Sequence, residues 1–298
     1  MTRALVTGGA GFIGSHLVDA LLARGDEVAV VDHLSRGHTH NLAGAIERGI
    51  AIHKAEVTDV EAMLAAFQEV RPDVVYHLAA QIDVRRSVGD PSTDAHVNIG
   101  GTAAVLEAAR EVGARRVVLA STAGVYGDPG VLPTPEHAPI APLSPYGASK
   151  AAAETYMQLF TRLHGLSTLA LRMANVYGPR QDPHGEAGVV AIFTGAARDG
   201  RTAIIYGDGA QTRDYVHVSD VVRAFAAAGR SPVTGVLNVS TGHETSVAGL
   251  ASLLGLETEL RPGRAGEILR SCLDPTAAAQ ALGWKAKMSL ADGLETIR

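Results

Sequence analysis

The segment that most constrains the fold lies at the start of the chain. An apolar strand pattern over Arg3–Thr7 is followed by three glycines at positions 8, 11 and 14, which open an amphipathic helix pattern. A tight turn and a close approach of the backbone to a pyrophosphate both exclude a Cβ at such positions. The N–H groups at the start of the helix would then face the anion. The segment predicts the first strand–turn–helix unit of a dinucleotide-binding domain. The candidate cofactor contacts in this turn are Gly8, Gly11, Phe12, Ile13 and Gly14.

Short apolar segments alternate with longer amphipathic ones through most of the chain. Continuous apolar segments such as Val117–Ala120 indicate strands buried on both faces of a parallel sheet. The predicted strands are Arg3–Thr7, Glu27–Asp32, Ile50–Lys54, Asp73–Leu78, Arg116–Ser121, Thr168–Met173 and Val236–Ser240, and the predicted helices include Gly11–Ala23, Val60–Val70, Thr93–Glu111 and Tyr146–His164. This alternation predicts an α/β fold with a doubly wound parallel sheet of the Rossmann type.

Beyond about residue 175 the alternation loosens into segments rich in proline and glycine, which predicts a smaller C-terminal substrate-binding lobe. We expect residues 1–174 to form the nucleotide-binding domain, with about 214–241 returning to it. Residues of about 175–213 and 242–298 are expected to form the lobe.

Composition narrows the class of partner. The chain has 26 basic and 31 acidic residues, a net charge of -5 and no basic stripe, which argues against a nucleic-acid partner. We expect no membrane span and no signal peptide, and therefore a cytoplasmic protein. Cys272 is the single cysteine, which excludes an intrachain disulfide. His38 and His40 lie in a predicted loop without a convincing ligand set, so no metal is predicted.

Asp32 ends the second predicted strand, where a carboxylate can accept hydrogen bonds from both adenosine ribose hydroxyls and would repel a 2′-phosphate. This favours NAD over NADP as the cofactor. Arg36, four residues later, could instead hold a 2′-phosphate, so NADP is the alternative.

Tyr146 and Lys150 are spaced to share one face of a helix. A nearby ammonium favours the phenolate, so we expect the pKa of Tyr146 to be lowered and the residue to act as a base. A hydroxyl partner is available at the end of the fifth strand, where Thr122 or Ser121 could hydrogen-bond a substrate oxygen.

Together these segments resemble the extended short-chain dehydrogenase/reductase family and, within it, the UDP-glucose (UDP-galactose) 4-epimerases, essentially from end to end. Further segments that carry the resemblance are His77–Gln81, Asn98–Thr102, Leu171–Pro183, Tyr206–Val218 and Arg264–Glu267. The resemblance implies that Tyr146 is the acid and base, that Lys150 holds the nicotinamide ribose, and that Thr122 shares the proton of the 4-hydroxyl. C4 of a UDP-hexose would be inverted through a 4-keto sugar, the hydride leaving to NAD and returning to the other face.

The remaining site residues are implied by the same resemblance. Beyond the glycine-rich turn, the implied cofactor contacts are Asp32, Glu56, Val57, Leu78, Ala79, Ala80, Gln81, Asn98, Ser121, Tyr146 and Lys150. The implied substrate contacts are Val84, Thr122, Tyr146, Asn175, Val189, Tyr206, Arg213, Arg264, Glu267 and Ser271. Among these, Tyr206 would pack against uracil, and two arginine side chains, Arg213 and Arg264, would neutralise the diphosphate.

Two positions depart from or refine the family pattern. Glu56 precedes Val57 where the family usually has aspartate, which changes the geometry toward the adenine. Ser271 is a small residue at a position that shapes the sugar pocket, so UDP-GlcNAc and UDP-GalNAc are expected substrates as well.

Other reactions on this scaffold are distinguished after the fifth strand. Nucleotide-sugar dehydratases carry Asp-Glu after the threonine and UDP-glucuronate decarboxylases usually a glutamate, whereas Ala123-Gly124 follows Thr122 here. A UDP-glucuronate 4-epimerase stays open. A non-catalytic NAD-binding regulator is disfavoured by the intact Tyr146 and Lys150. The resemblance also implies a homodimer formed through residues 93–111 and 146–164, although the apolar stripe of the second helix could equally be core packing.

Overall fold

A parallel sheet of seven strands forms the centre of the structure, a computed structural model that describes residues 1–182, 188–263 and 268–297. The strands are β1 (Arg3–Thr7), β2 (Glu27–Val31), β3 (Ala51–His53), β4 (Val74–His77), β5 (Arg116–Thr122), β6 (Ser167–Met173), β7 (Asn175–Tyr177), β8 (Ala203–Tyr206), β9 (Thr212–Arg213), β10 (Tyr215–His217), β11 (Gly235–Val239), β12 (Thr245–Ser246), β13 (Thr258–Arg261) and β14 (Arg270–Ser271). The large sheet has the order β11-β6-β5-β4-β1-β2-β3, and all its neighbours are parallel.

Helices cover both faces of this sheet. The helices are α1 (Phe12–Ala23), α2 (Ala43–Glu47), α3 (Val60–Val70), α4 (Val84–Gly89), α5 (Pro91–Ala95), α6 (Gly101–Glu111), α7 (Pro145–His164), α8 (Val189–Arg198), α9 (Val218–Ala228), α10 (Val247–Leu253), α11 (Thr276–Leu282) and α12 (Leu290–Glu295). One core joins α1 and α9 to the sheet through residues such as Leu17 and Phe225. A second core joins α3, α6 and α7 to the opposite face through Phe67, Val105 and Met157. The predicted doubly wound parallel sheet is confirmed.

The predicted helix over Thr93–Glu111 is the main departure from the sequence pattern. The structure breaks it into α5, a π-helical turn at His96–Gly100, and α6. A π turn inserts one residue into the helical repeat, a change that hydrophobic periodicity does not register. The Thr102 hydroxyl donates a 2.6 Å hydrogen bond to the carbonyl of Asn98 within this turn. Asn98 itself is buried, so the irregular turn lies against the rest of the protein.

The lobe that follows β6 has small sheets and a core of its own. Strand β8 pairs with β13, and β9 lies between β12 and β14. Its core includes Phe193, Ile205 and Leu250. The chain returns to the large sheet through α9 and β11.

The C-terminal segment differs from the predicted division of the chain, which assigns all of 242–298 to the lobe. Ala278 of α11 and Trp284 pack in the core on the α1 side of the large sheet. The Trp284 indole donates a 2.9 Å hydrogen bond to the carbonyl of Asp220 in α9. Part of this segment therefore stabilises the nucleotide-binding domain.

The stripe of small and apolar residues on α7 is mostly internal. Ala153 and Met157 are buried in the core beneath the sheet, and Phe160 packs against the same core. Leu163 is exposed. In the part of the chain that the structure describes, no helix combines the length and apolarity needed to cross a bilayer.

Candidate active site

The glycine-rich turn between β1 and α1 leaves space that a side chain would fill. Gly8 has a φ of +71°, and a Cβ there would lie 2.7 Å from the backbone nitrogen of Ala79. A Cβ on Gly14 would overlap the carbonyl oxygen of Gly8. Helix α1 begins directly after Gly11, so its first N–H groups lie at this turn. Phe12 and Ile13 pack against the core and orient the helix. The turn fits the pyrophosphate of a dinucleotide.

Asp32 directly follows β2 and is buried beside this turn. Its carboxylate accepts hydrogen bonds from the backbone N–H groups of Ala10 at 2.9 Å and Leu34 at 2.8 Å. Both carboxylate oxygens therefore have partners that fix the side chain at the carboxyl edge of the sheet, where a ribose would lie. Glu56 is half exposed, with an oxygen 3.3 Å from the His33 ring, and Val57 is buried in the core.

The loop that follows β4 is joined to the π turn by a network of buried polar groups. Asn98 pairs with the backbone of Gln81, accepting from its N–H at 2.8 Å and donating to its carbonyl at 3.0 Å. The same amide donates to Ser149 of α7 at 3.0 Å and to Asp94 at 3.2 Å. The side chain of Gln81 donates to Asp94 at 2.9 Å.

This network changes how two predicted cofactor contacts are interpreted. The amide group of Asn98 is already bonded within the protein, so Asn98 supports the loop formed by Leu78, Ala79 and Ala80. Gln81 likewise turns its side chain into the network, and its backbone N–H and carbonyl are bonded to Asn98. Direct contact of either side chain with NAD stays a prediction.

Helix α7 carries Tyr146 and Lys150 in its first two turns. Ser144 caps the helix by accepting a 3.1 Å hydrogen bond from the N–H of Gly147, and Pro145 occupies its first position. The N–H of Tyr146 donates to the Ser87 hydroxyl at 3.2 Å. The cap and this bond fix the start of the helix, so that Tyr146 and Lys150 lie one turn apart on the same face.

Burial dominates the ionisation of both residues. Desolvation raises the pKa of Tyr146 to about 12, although a hydrogen bond with Thr122 acts in the opposite direction. Desolvation also lowers the pKa of Lys150 to about 8, opposed by the negative charges of Asp94 and Glu154. The prediction that Lys150 lowers the pKa of Tyr146 is therefore wrong for this structure, because the loss of water around the phenol outweighs the effect of charged neighbours.

The structure separates the two hydroxyl candidates at the end of β5. Ser121 is buried and its hydroxyl is hydrogen-bonded to Glu154. Thr122 is half-buried, accepts from the N–H of Gly124 at 3.1 Å, and is hydrogen-bonded to Tyr146. Thr122 is therefore the hydroxyl that meets Tyr146, and Ser121 stabilises the strand end behind it.

Behind the site lies a buried ion pair that the sequence pattern does not predict. Arg172 of β6 donates to Glu154 of α7 through Nε at 2.9 Å and through a terminal nitrogen at 2.6 Å. It also donates to the Tyr126 hydroxyl at 2.8 Å. Glu154 follows Lys150 by four residues, so helical spacing alone places it on the same face. Its partner on another strand cannot be found that way.

The substrate-side residues lie on the small sheets of the lobe. Arg213 of β9 and Ser271 of β14 are register partners on adjacent strands, so the structure brings these two predicted residues together. Asn175 is exposed at the start of β7, with its N–H bonded to the carbonyl of Asp214 at 2.9 Å. Tyr206 is half-buried at the end of β8.

The other predicted substrate contacts are less defined by the fold. Val84 is exposed at the start of α4, and Val189 is half-buried at the start of α8. Arg264 and Glu267 lie outside the described residues. Within the described parts of the chain, no group of three or more histidine, cysteine or acidic side chains could hold a metal ion.

Comparison with known proteins gives one consistent family. Residues 4–240 match the model of the NAD-dependent epimerase/dehydratase family. A UDP-glucose 4-epimerase of Mycolicibacterium smegmatis is 49% identical over 98% of this chain and 96% of that protein.

Two solved structures are close in fold. The UDP-glucose 4-epimerase of Thermotoga maritima with UDP-glucose has a TM-score of 0.95 and 45% identity, over 99% of this chain and 96% of that one. The UDP-glucose 4-epimerase of Thermus thermophilus in complex with NAD has a TM-score of 0.92 and 42% identity, over 99% of this chain and 97% of that one.

Proposed function

This chain belongs to the NAD-dependent epimerase/dehydratase family, and from that premise we propose that it is a 4-epimerase of UDP-hexoses, interconverting UDP-glucose and UDP-galactose. Its cofactor is NAD, which when bound takes the hydride from C4 of the sugar and returns it. Gly8 and Gly14 would hold the pyrophosphate, and Asp32 the adenosine ribose. Lys150 would hold the nicotinamide ribose.

The observation that carries the proposal is the pairing of Tyr146 with Thr122. Tyr146 removes the proton from the C4 hydroxyl and later returns it, while Thr122, hydrogen-bonded to Tyr146, holds the same sugar oxygen. The sugar becomes a 4-keto sugar between the two transfers. Both faces of C4 must be presented to one cofactor. The keto sugar therefore rotates within the site before the hydride and the proton are returned, and C4 is inverted.

The residues after Thr122 favour epimerisation over dehydration. Ala123 and Gly124 form a short 3₁₀ turn capped by Thr122. Neither side chain has an acid or base that could remove a proton from C5 or protonate a leaving hydroxyl. The keto sugar therefore has one reaction open to it at this position, which is return to a 4-hydroxyl sugar.

The pocket for the sugar supports acceptance of N-acetylated hexosamines. Ser271, the register partner of Arg213, has a small side chain, whereas a bulky residue at this position would restrict the sugar pocket. We propose that UDP-GlcNAc and UDP-GalNAc are interconverted as well, with Arg213 and Arg264 neutralising the diphosphate.

The test is a substrate panel with purified protein. UDP-glucose, UDP-GlcNAc and UDP-glucuronate are each incubated with the protein, and the 4-epimers are separated by chromatography. We expect turnover of the first two. Turnover of UDP-glucuronate alone would replace the proposal by a UDP-glucuronate 4-epimerase, and release of a dehydrated keto sugar would refute epimerisation.

A matched pair of variants tests the mechanism. Tyr146→Phe removes the reacting hydroxyl and should lower kcat by at least about 100-fold. Tyr156→Phe removes a hydroxyl from the same helix at an exposed position and should leave kcat unchanged. Equal activity in the two variants would contradict the role of Tyr146.

We also propose that the chain forms a homodimer through α6 and α7. Tyr156 and Leu163 of α7 are exposed, although the neighbouring Ala153 and Met157 are core residues. Light scattering after gel filtration should give twice the chain mass, and a monomer at all concentrations would refute the proposal. We also predict that the protein is located in the cytoplasm and has a role in galactose metabolism.

A further inference from the structure

Asp94 is a buried carboxylate next to the candidate active site that the proposed reaction does not use. It lies on α5, is 1% exposed, and accepts hydrogen bonds with one oxygen from Gln81 at 2.9 Å and Asn98 at 3.2 Å. Its other oxygen, Oδ2, is buried without a hydrogen-bond partner among the described residues. A carboxylate oxygen without a partner is costly to bury, so a compensating charge is expected nearby.

Lys150 is the cation whose charge Asp94 influences. Helix α5 packs against α7, and the charge of Asp94 acts on both Lys150 and Tyr146. Lys150 is itself 3% exposed, and Ser149, the residue before it, accepts from the same Asn98 amide that donates to Asp94. Two buried groups of opposite charge therefore lie in the same region of the structure.

Two other titratable groups lie around Lys150. Glu154 also acts on Lys150, but its charge is shared with Arg172 in a buried ion pair. His77 is neutral because burial, and then the charge of Lys150, lower its pKa to about 3.

The basic side chains within ten residues of Asp94 in the sequence are exposed. Arg85 and Arg86 of α4 are exposed, and so is His96 of the π turn. The charge of Asp94 therefore acts more strongly on Lys150 than that of Glu154, and Oδ2 of Asp94 has no hydrogen-bond partner among the described residues.

We propose that Asp94 is a positioning residue of the active site. Its Oδ1 fixes Gln81 and Asn98, and through them the loop after β4. Its negative charge keeps Lys150 protonated at the pH of the reaction. The part that concerns Lys150 in catalysis rests on the proposed epimerase function, whereas the effect on cofactor binding does not.

The decisive variant is Asp94→Asn. Asparagine keeps one oxygen for Gln81 and Asn98 but removes the charge, so that Lys150 loses its proton at a lower pH. The readout is the rate at which bound NAD leaves the purified holoprotein at a series of pH values. Release should accelerate as Lys150 loses its proton, and in Asp94→Asn the midpoint of that acceleration should fall by about one pH unit.

Three further variants test whether the shift in the midpoint is caused by the charge of Asp94 acting on Lys150. Asp94→Glu retains the charge and should keep the midpoint close to that of the wild type. Asp90→Asn changes an exposed carboxylate that caps the same helix and should leave it unchanged. In a Lys150→Met background the midpoint should be lost, and Asp94→Asn should have no further effect on the pH profile.

The outcomes separate this inference from the proposed function. An unchanged midpoint in Asp94→Asn, or the same shift with Lys150→Met present, overturns the inference even if the protein is an active epimerase. If the wild type has no epimerase activity, the NAD-release profile still decides the role of Asp94. If Asp94→Asn does not fold, Asp94→Ser, which has room for a water molecule, is measured in the same way and must show the same shift.

Discussion

Replacing Glu154 by glutamine removes the negative charge from a buried ion pair while keeping its shape. The side chains of Glu154 and Arg172 are each 4% exposed, and three hydrogen bonds of 2.6, 2.9 and 3.2 Å join them. Removing one partner of such a pair costs about 3–5 kcal/mol, because the other charge remains buried without compensation. Glutamine still accepts hydrogen bonds from Ser121 and Arg172, so we expect a loss of about 3 kcal/mol in the free energy of unfolding. In a chain of this size that lowers Tm by about 5 °C.

Urea denaturation followed by circular dichroism, with NAD in excess for every variant, measures this loss. Arg172→Met leaves the carboxylate unpaired and should cost a similar amount. The double variant should be less unstable than the sum of the two by about 2 kcal/mol, because neither charge is then left alone. A loss below about 1 kcal/mol in Glu154→Gln, or additive losses in the double variant, would refute the account of a buried and mutually dependent pair.

Three further predictions concern ligands and pH. Gly14→Ala should weaken NAD binding at least about tenfold, measured by calorimetry, because its Cβ overlaps the carbonyl oxygen of Gly8. Gly44→Ala, where a Cβ meets no atom within 4 Å, serves as a control for affinity, and equal losses would contradict the reasoning. Ser271→Tyr should reduce turnover of UDP-GlcNAc by about 100-fold while UDP-glucose turnover changes less than about threefold, and a parallel loss of both would argue against a pocket at this position. Since burial lowers the pKa of Lys150 from 10.5 to about 8, its charged form is present below that pH and is lost as the pH rises through it, so kcat/KM should fall above about pH 8. Whatever activity Lys150→Arg retains should lack this alkaline limb, because guanidinium stays charged, and a limb that persists would assign the titration to another group.

The parts of the fold that sequence predicts are those set by short-range chemistry. The turn at Gly8 and Gly14 follows from the absence of side chains, and helix α3 begins and ends at Val60 and Val70 as its periodicity indicates. Strands that are buried on both faces have continuous apolar sequences, and these sequences predict the parallel sheet. The spacing of Tyr146 and Lys150 likewise needs only the geometry of one helix.

The features that sequence could not predict depend on pairs distant in the chain. Arg172 contacts Glu154 because β6 and α7 pack together, and the sequence of neither segment indicates which residue its charged side chain will pair with. The π turn at His96–Gly100 adds one residue to a helix whose apolar positions still look periodic. The carbonyl and N–H of Gln81 are held by the Asn98 amide, which that turn brings inward.

The pKa of Tyr146 shows why the direction of an electrostatic effect cannot be read from spacing. A lysine one turn away favours the phenolate, but that effect competes with the cost of taking the phenol out of water. Burial has the larger effect, so the pKa of Tyr146 is raised to about 12 and that of Lys150 is lowered to about 8. At neutral pH Lys150 is therefore charged, whereas Tyr146 is a protonated phenol and proton abstraction requires the phenolate. Tyr146 can therefore become a base only when a positive charge is brought against its ring and a hydroxyl is placed beside Thr122. The protein therefore keeps its phenol unreactive until cofactor and sugar occupy the site, and the negative charge of Asp94 favours the protonated forms of both Lys150 and Tyr146.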